Sequence, residues 1–212
     1  MSHQSHFKSY KNLHTHLVNE YYTPKPTVFE CHFFPSTNNE VKVVNMLRTS
    51  HKTLDIAIFT LTNDKIFAAI EEAFNRKVKV RIISDDECCK MLGSDVLRAA
   101  ALGIPTKTDC AKSHMHHKFA VIDNSLVVTG SFNWTVQAVK MNQENILFYE
   151  NPSLAQKYTE EFNRLWNQFT TVVSQQESIK ILKEIEEAKR IAKEQKEREK
   201  EKLKKEKAAN KN

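Results

Sequence analysis

The sequence predicts an α/β domain followed by a charged helical tail. From Thr27 onward, short β-rich runs alternate with segments of helical periodicity, which is typical of α/β layer architectures. The C-terminal region differs in composition, since 13 of the 15 residues from Lys193 to Lys207 are charged. These observations divide the chain into a polar N-terminal segment over 1–26, which we predict to be helical, a domain over 27–173 and a tail over 174–212.

The first half of the domain is predicted as strand, helix, strand, helix, strand. The strand 28–34 precedes a helix over 38–49 that begins among Ser, Thr and Asn, the residues that cap helix N-termini. An apolar strand over 54–61 precedes a helix over 64–76, in which the apolar residues recur at helical intervals. The β-rich run 78–83 completes this half.

The second half begins with a helix that Ser94 caps and Gly103 ends. A strand over 104–108 precedes a polar loop with three histidines. Two apolar runs follow, joined by Asp, Asn and Ser residues that are typical of a hairpin turn. Interspersed Glu and Lys predict that the tail is a solvated single helix. The remaining predicted elements are the hairpin strands 119–122 and 126–129, the strand 145–149 and an amphipathic helix over 152–171.

The low glycine content excludes two kinds of phosphate-binding loop. The chain has only three glycines, Gly93, Gly103 and Gly130, whereas a dinucleotide fingerprint and a Walker-A loop each require glycines at fixed short spacings. If the protein binds phosphate groups, it must do so with side chains. The four cysteines lack a CxxC pair, which favours free thiols over a zinc or disulfide framework.

Charge and hydropathy indicate where the protein works. Residues 178–212 hold 13 basic and 8 acidic residues, a net charge of +5 out of +6 for the whole chain, so the domain is nearly neutral. No run of 18 apolar residues occurs and the N-terminus is polar. We therefore expect no transmembrane segment and no signal peptide, and a soluble, intracellular protein.

A polar cluster is predicted at the open end of the hairpin. Residues i and i+2 of a strand face the same way, so His116 and Lys118 present an imidazole and an ammonium group side by side. A symmetric loop of two or four residues would place His116 opposite Asn133 and Lys118 opposite Ser131. One face of the hairpin would then carry four polar side chains close together.

This cluster suits a phosphodiester substrate. Lys118 supplies a positive charge, Asn133 an amide donor and Ser131 a hydroxyl for the phosphoryl oxygens. His116 can act as a nucleophile toward phosphorus or as a proton shuttle. Glu144, at the mouth of the next strand, can accept a proton from the far nitrogen of the imidazole and orient the ring.

Neighbouring residues receive structural interpretations. Asp123, at the hairpin end, is interpreted as a structural anchor or a supporting carboxylate. The register above places Gly130 opposite Phe119, where a missing side chain leaves room for the phenyl ring. The two other histidines of the loop and the two aspartates after the third strand have metal-binding or site-lining alternatives, but packed and solvated roles are expected. These residues are His114, His117, Asp85 and Asp86.

The cluster resembles a family signature. The pattern HxKx4Dx6GSxN, which is met by His116, Lys118, Asp123 and the run from Gly130 to Asn133, is similar to the signature of the phospholipase D superfamily. The surrounding words MHHKF, GSFNWT and QEN are similar to its small single-motif branch, which includes the mitochondrial cardiolipin hydrolase (Zucchini-type) proteins and small bacterial endonucleases. The similarity extends over about two-thirds of the chain.

The resemblance implies a fold and a mechanism. The fold is an α/β/α sandwich with a central mixed sheet. One histidine attacks phosphorus to form a phosphohistidine, and a second histidine protonates the leaving group and then activates water, without a metal ion or other cofactor. His116, Lys118 and Asp123 form the catalytic motif, and Lys118, Ser131 and Asn133 bind the phosphate. Since the chain has one complete motif, the second histidine is expected from a second copy in a two-fold homodimer.

The substrate has several candidates. The resemblance favours a phospholipase D that releases phosphatidic acid from cardiolipin or a related phospholipid. An endonuclease acting on single-stranded RNA or DNA is the first alternative, and a non-catalytic dimer that binds nucleic acid or a membrane surface is the second. Animal members of the mitochondrial branch resemble one another in an N-terminal membrane span and a Cys/His zinc module, neither of which the N-terminal sequence supports. The expected location is therefore cytoplasmic or peripheral on mitochondria.

Overall fold

The computed structural model describes residues 28–91, 93–109 and 111–209, the last nine of them as backbone only. The N-terminal segment that is predicted to be helical lies outside the described residues. Eight strands and seven helices are found in the described ranges. The strands are β1 (Phe29–Phe34), β2 (Thr53–Ile58), β3 (Lys79–Ser84), β4 (Thr106–Thr108), β5 (Lys118–Ile122), β6 (Leu126–Gly130), β7 (Glu144–Glu150) and β8 (Thr171–Val172). The helices are α1 (Thr37–Arg48), α2 (Asp64–Asn75), α3 (Asp86–Lys90), α4 (Asp95–Ala101), α5 (Val136–Lys140), α6 (Pro152–Gln168) and α7 (Gln175–Ala209).

All eight strands form one mixed sheet in the order β1-β7-β6-β5-β2-β3-β4-β8. Strands β2, β3 and β4 are parallel, and every other neighbouring pair is antiparallel. Apolar residues of α1, α2, α4 and α5 cover one face. The other face packs against α6 through Phe162 and Leu165. Apolar side chains thus bury both faces of the sheet, and the predicted α/β/α sandwich is confirmed.

The strand directions bring several polar residues to one edge of the sheet. The parallel strands β2 and β3 end there, at Ile58 and Ser84. Because β5 is antiparallel to β2, its first residue, Lys118, pairs with Ile58 at the same edge. β6 ends beside this point at Gly130, and β7 begins next to it at Glu144. Open α/β sheets bind ligands outside such strand ends.

The register of the β5–β6 hairpin differs from the prediction by one residue. Phe119 pairs with Thr129 and Ile122 pairs with Leu126, so the loop has three residues rather than two or four. Its first two residues, Asp123 and Asn124, have φ angles of 52° and 54°, a left-handed conformation that Asp and Asn tolerate. Since a shift of one residue reverses the face of every side chain, the predicted pairing of Lys118 with Ser131 and of His116 with Asn133 is wrong.

The role predicted for Gly130 is also wrong. Phe119 is paired with Thr129, so Gly130 does not make room for that phenyl ring. A Cβ at position 130 would instead collide with the backbone of β7, at the carbonyl oxygen of Asn145 and the Cα of Ile146. Glycine is required here because two backbones approach each other closely.

The C-terminal part of the chain differs from the prediction at its boundary. Helix α6 ends at Gln168, and the short strand β8 pairs antiparallel with β4. Helix α7 then packs its first turns on the domain, where Gln175 donates a hydrogen bond to the carbonyl of Ala101 and Ser178 is buried. Residues 186–200 of the helix are exposed. The tail is a helix, as predicted, but its beginning belongs to the folded domain.

Two helices of five residues, α3 and α5, were not predicted. Each is little more than one turn, too short for a helical periodicity to appear in the sequence. Within the residues that the structure describes, none of the helices combines the length and the apolar character that a membrane span requires.

Candidate active site

The candidate active site lies around the first residue of β5, at the sheet edge described above. Residues 114–117 precede β5 as an extended segment without regular structure. The N–H of Phe59 donates to the carbonyl of His117 at 2.9 Å, which prolongs the β2–β5 pairing beyond both strands. This bond holds the histidine segment beside Phe59.

His116 and Lys118 are adjacent in space, as their spacing predicts. Nζ of Lys118 lies 3.1 Å from Nδ1 of His116 and donates to the carbonyl oxygen of His116 at 2.8 Å. The side chain of Phe59 contacts both groups. Its ring centroid is 4.5 Å from that of His116 and 5.1 Å from Nζ of Lys118. The ammonium and the imidazole therefore share an aromatic platform. Contact with the face of an aromatic ring stabilises the positive charge of the Lys118 ammonium group.

The sequence offered no indication of this role for Phe59. The residue directly follows a buried strand, where an aromatic side chain is usually part of the core. Only the antiparallel pairing of β2 with β5 places it under the histidine segment. The role of Phe59 could be found only by predicting that β2 and β5 are neighbours in the sheet.

The surroundings favour a neutral His116. Desolvation is the largest influence and, with the positive charge of Lys118, keeps the pKa of His116 below its ordinary value of 6.5. An imidazole without a proton on one nitrogen is the form that can attack phosphorus. Burial also lowers the pKa of Lys118, whereas the carboxylate of Glu144 opposes that shift.

Ser131 and Glu144 are bonded to each other. The hydroxyl of Ser131 donates to Oε2 of Glu144 at 2.5 Å and accepts from the N–H of Asn145 at 3.1 Å. The other carboxylate oxygen of Glu144 accepts from the amide of Asn142. In the described part of this chain, Glu144 makes no hydrogen bond with His116. It holds Ser131 instead, close enough to Lys118 to act on its charge.

Asn133 lies in the loop that follows β6. The next residue, Trp134, bonds through its N–H to the carbonyl of Thr60 and through its carbonyl to the N–H of Thr62, which holds this loop beside the end of β2. Oδ1 of Asn133 is buried and has no hydrogen-bond partner among the described residues. An amide oxygen accepts hydrogen bonds and the NH2 group of the same side chain donates them, so only the NH2 group of Asn133 could contact a phosphoryl oxygen. Trp134 and Phe132 are buried in the core.

Asp123 lies at the other end of β5, about 17 Å from Lys118 along the strand. Its carboxylate accepts hydrogen bonds from the backbone N–H groups of His51, Lys52 and Thr53, at 2.9, 2.7 and 2.8 Å. This geometry agrees with the anchor interpretation. Asp123 fixes the hairpin to the start of β2. The resemblance to the family signature implied a catalytic role for Asp123, but the residue is too far from His116 to contact a substrate there.

The other histidines of the segment bind different carboxylates. Nδ1 of His114 lies 2.9 Å from Oδ2 of Asp85, and Nε2 of His117 lies 3.6 Å from Oε1 of Glu161. The three histidines of the segment are not among the described residues that are grouped closely enough to hold a metal ion. Asp85 is 1% exposed, so the expectation that it is solvated is wrong.

Among the described residues, three aspartates lie close enough together to hold a cation. They are Asp85, Asp86 and Asp109, whose carboxylate oxygens lie within 4.8 Å of one another. The carboxylate of Asp109 already accepts the N–H groups of Asp86 and Met115. These bonds join the loop before the histidine segment to α3, which accounts for the cluster without an ion.

Two grooves flank His116. One, of about 460 Å³, is lined by His114, His116, His117 and Arg164. The other, of about 360 Å³, is lined by His116 and Lys118, which we call the reactive pair. Gly130 of β6 and Lys157 and Tyr158 of α6 also line it. Both lead to the imidazole of His116 from the side of α6. A phosphodiester bound at His116 can therefore extend in two directions.

The chain is similar to proteins of known family. Residues 43–166 match the family model described as cardiolipin synthase, PLD-like domain. The chain is 40% identical over 139 residues to a mitochondrial cardiolipin hydrolase of Chlamydomonas reinhardtii, covering 66% of this chain and 62% of that protein. It is 34% identical over 128 residues to one of Xenopus tropicalis, with 60% and 61% covered. The chain thus spans about 60% of the length of these relatives.

A solved structure shows the same fold. Nuc from Salmonella typhimurium, a phospholipase D family member, superposes with a TM-score of 0.65 at 29% identity, over 69% of this chain and 98% of that one. The residues matched by the family model include the whole motif from His116 to Asn133. The chain therefore belongs to the phospholipase D superfamily, in the family of cardiolipin synthase PLD-like domains.

Proposed function

We propose that this chain hydrolyses phosphodiesters by a phospholipase D-type reaction in which His116 is the nucleophile. The observation that carries the proposal is the contact of His116 with Lys118, at 3.1 Å on one aromatic platform. A neutral imidazole beside an ammonium group combines a nucleophile with a charge that attracts the phosphoryl oxygens. We assign the remaining phosphate contacts to the NH2 group of Asn133 and to Ser131, whose hydroxyl must release Glu144 before it can donate to a phosphoryl oxygen.

The reaction has two steps. A ring nitrogen of His116 attacks phosphorus, the bond to the leaving oxygen breaks, and a second, protonated histidine gives its proton to that oxygen. The second histidine, now neutral, takes a proton from water while the water oxygen attacks phosphorus and the phosphorus–nitrogen bond breaks. The products are an alcohol and a phosphomonoester, and both histidines return to their starting states.

We propose that the second histidine is His116 of a second copy, in a two-fold homodimer. The chain has one complete motif, and His114 and His117 are each paired with a carboxylate of their own chain. A two-fold axis at the site brings two identical imidazoles into one groove. Mixing tests this arrangement. After subunit exchange with an equal amount of His116→Ala chains, the wild-type activity should fall to about half, because every mixed dimer lacks one histidine. Full retention of activity would contradict a shared site.

The proposed substrate is cardiolipin or a related phospholipid, with phosphatidic acid as product. The named relatives are mitochondrial cardiolipin hydrolases, and apolar residues border the site. Phe33 is 67% exposed and lines a cavity with Ser131 and Glu144. An exposed aromatic side chain at this position can contact an acyl chain. The relatives' names also favour action at the surface of mitochondrial membranes.

A single-stranded nucleic acid is the second candidate substrate. It presents the same phosphodiester, and Lys157 and Lys118 line one groove with His116, which suits a chain of phosphates. In the proposed site the groups that act on the phosphate are side-chain nitrogens, namely those of His116, Lys118 and Asn133, and they act on it directly. Activity on either substrate is therefore expected to persist in EDTA.

One experiment separates these functions. Purified full-length protein is incubated in EDTA with cardiolipin vesicles and with labelled single-stranded RNA and DNA, beside the variants His116→Ala and His51→Ala. Turnover of lipid that His116→Ala abolishes and His51→Ala retains is the expected result, because His51 is exposed at the far end of β2. Cleavage of nucleic acid alone would favour the second candidate. No turnover of any substrate would favour a non-catalytic binding dimer.

A further inference from the structure

The side chain of His114 is held beside the reactive pair by a buried carboxylate. Nδ1 of His114 lies 2.9 Å from Oδ2 of Asp85, which is 1% exposed. The other oxygen of Asp85 accepts the N–H groups of Glu87 and Cys88, at 3.1 and 3.0 Å, and thereby caps α3. The carboxylate cannot turn away without losing this cap, so it gives His114 a defined orientation.

The pairing also defines which ring nitrogen carries the proton. An ionised carboxylate only accepts hydrogen bonds, so Nδ1 of His114 donates to Asp85 and Nε2 of the neutral ring is left as an acceptor. Nε2 has no hydrogen-bond partner among the described residues, and the side chain of His114 is 53% exposed. The ring thus presents a free acceptor to solvent or to a ligand.

The ring that carries this acceptor lies beside the site of the reaction. His114 and His116 both contact the ring of Phe59, at centroid distances of 5.4 and 4.5 Å. Both histidines also line the groove of about 460 Å³. Arg164, which also lines this groove, is paired with Glu161. His114 therefore presents an acceptor in the same groove as the nucleophile and shares its aromatic platform.

We propose that Nε2 of His114 accepts a hydrogen bond from a substrate hydroxyl next to the scissile phosphodiester, and that Asp85 is the positioning residue for this contact. The inference rests on the proposed function. In cardiolipin, the central glycerol has a free hydroxyl that one ester oxygen and two carbons separate from each phosphorus. A site that contacts this hydroxyl discriminates against phospholipids that lack it, because the acceptor then remains unpaired.

The test compares two lipids on the same enzyme preparation. One is cardiolipin, and the other is the analogue in which 1,3-propanediol replaces the central glycerol, with identical phosphates and acyl chains. The readout is the ratio of kcat/KM for the two lipids, which does not depend on the fraction of protein that is folded. We expect the wild type to prefer cardiolipin by about three- to tenfold, the range of one neutral hydrogen bond.

Three variants locate the origin of this preference. In His114→Ala the ratio should fall to near one. In Asp85→Asn it should fall as well, because an amide that donates to Nδ1 moves the proton of His114 to Nε2 and removes the acceptor. In His51→Ala, which removes an exposed histidine at the far end of β2, the ratio should equal that of the wild type.

Each alternative result has a definite meaning. If His114→Ala lowered both rates equally and kept the preference, the residue would be structural only and the inference would be wrong. A wild type that did not distinguish the lipids would also overturn it, although the proposed function would stand. Absence of wild-type turnover of both lipids would refute the proposed lipid substrate and this inference together, and the nucleic-acid assay described above would then decide whether phosphodiester hydrolysis itself stands.

Discussion

Nζ of Lys118 lies 3.1 Å from Nδ1 of His116, over the ring of Phe59. An ammonium group at this distance disfavours a second positive charge on the imidazole, because like charges repel more strongly where water is partly excluded. The lysine therefore has two effects. In the proposed reaction it attracts the phosphoryl oxygens, and it helps to keep His116 in the neutral form that would attack phosphorus.

Replacing Lys118 by Met should raise the pKa of His116. Desolvation still lowers that pKa in the variant, but the nearby positive charge is gone. NMR titration of the imidazole measures the pKa directly. Activity rises as His116 loses its proton, so the acid limb of the pH profile should move to higher pH, and kcat/KM should fall by about 10²–10³ with the lost phosphate contact.

The control for that prediction is Lys52→Met, because Lys52 is exposed and lies near Asp123 at the far end of the hairpin. Its side chain is not among the main influences on the pKa of His116. A titration of His116 that is the same in Lys118→Met as in the wild type would show that the lysine does not influence the nucleophile.

Gly130→Ala should destabilise the domain through a collision between backbones. The added Cβ meets the carbonyl oxygen of Asn145 and the Cα of Ile146, and neither can move without breaking the β6–β7 pairing. We expect a loss of about 3 kcal/mol in the free energy of unfolding. Gly93→Ala is the matched control. No atom lies within 4 Å of its added Cβ, and only its φ of +87° opposes alanine, at about 1 kcal/mol. Equal losses in urea denaturation would contradict the close approach.

Asp123→Asn should reduce stability without removing the reactive pair. Burial alone would raise the pKa of Asp123, but the N–H groups of residues 51–53 outweigh it and keep the pKa below its ordinary value. A carboxyl group with a lowered pKa stabilises the fold above its unfolded-state pKa of about 4, and this contribution is lost as pH falls through the lower folded value. Asparagine keeps the left-handed backbone but not the charge.

The measurement for Asp123 is urea denaturation at several pH values. Wild type and variant should differ by about 1–3 kcal/mol at pH 7, and the difference should shrink below about pH 4. Activity per folded molecule should remain, since the residue lies at the far end of β5. A difference in stability that did not depend on pH would argue against the charged anchor.

Leu182→Ala should show that the first turns of α7 belong to the domain. Leu182 is partly buried against the core, close to the buried Ser178. Removing its side chain should cost about 1–2 kcal/mol of unfolding free energy. Ile191→Ala, on the same helix but 44% exposed, should change stability by less than about 0.5 kcal/mol. Thermal unfolding of both variants checks this, and equal effects would place the domain boundary elsewhere.

Much of the architecture could be predicted because its signals are local. The periodicity of 64–76 and the apolar run of 78–83 each correspond to an observed element, α2 and β3. Helix α1 begins one residue before the predicted start, after Ser36 has accepted the N–H of Asn39. In the site, the spacing of His116 and Lys118 was sufficient to predict that their side chains lie close together, because residues i and i+2 of an extended chain share a side.

Contacts between distant parts of the chain could not be predicted in this way. Asp123 is anchored by His51, 72 positions earlier, and the hairpin loop adopts the three-residue form in that setting. The requirement for Gly130 comes from β7, and Asp85 reaches His114 across 29 positions. Each of these relationships depends on which strands are neighbours in the sheet.

The sequence by itself therefore determined the layer architecture, the family and the reactive pair of His116 and Lys118, because these follow from periodicity, motif spacing and the alternation of side chains along a strand. The tertiary structure decided the register of the hairpin, the platform of Phe59 and the pairing of His114 with Asp85. These arise where strand ends from separate parts of the chain meet at one edge of the sheet, and no local pattern specifies that meeting.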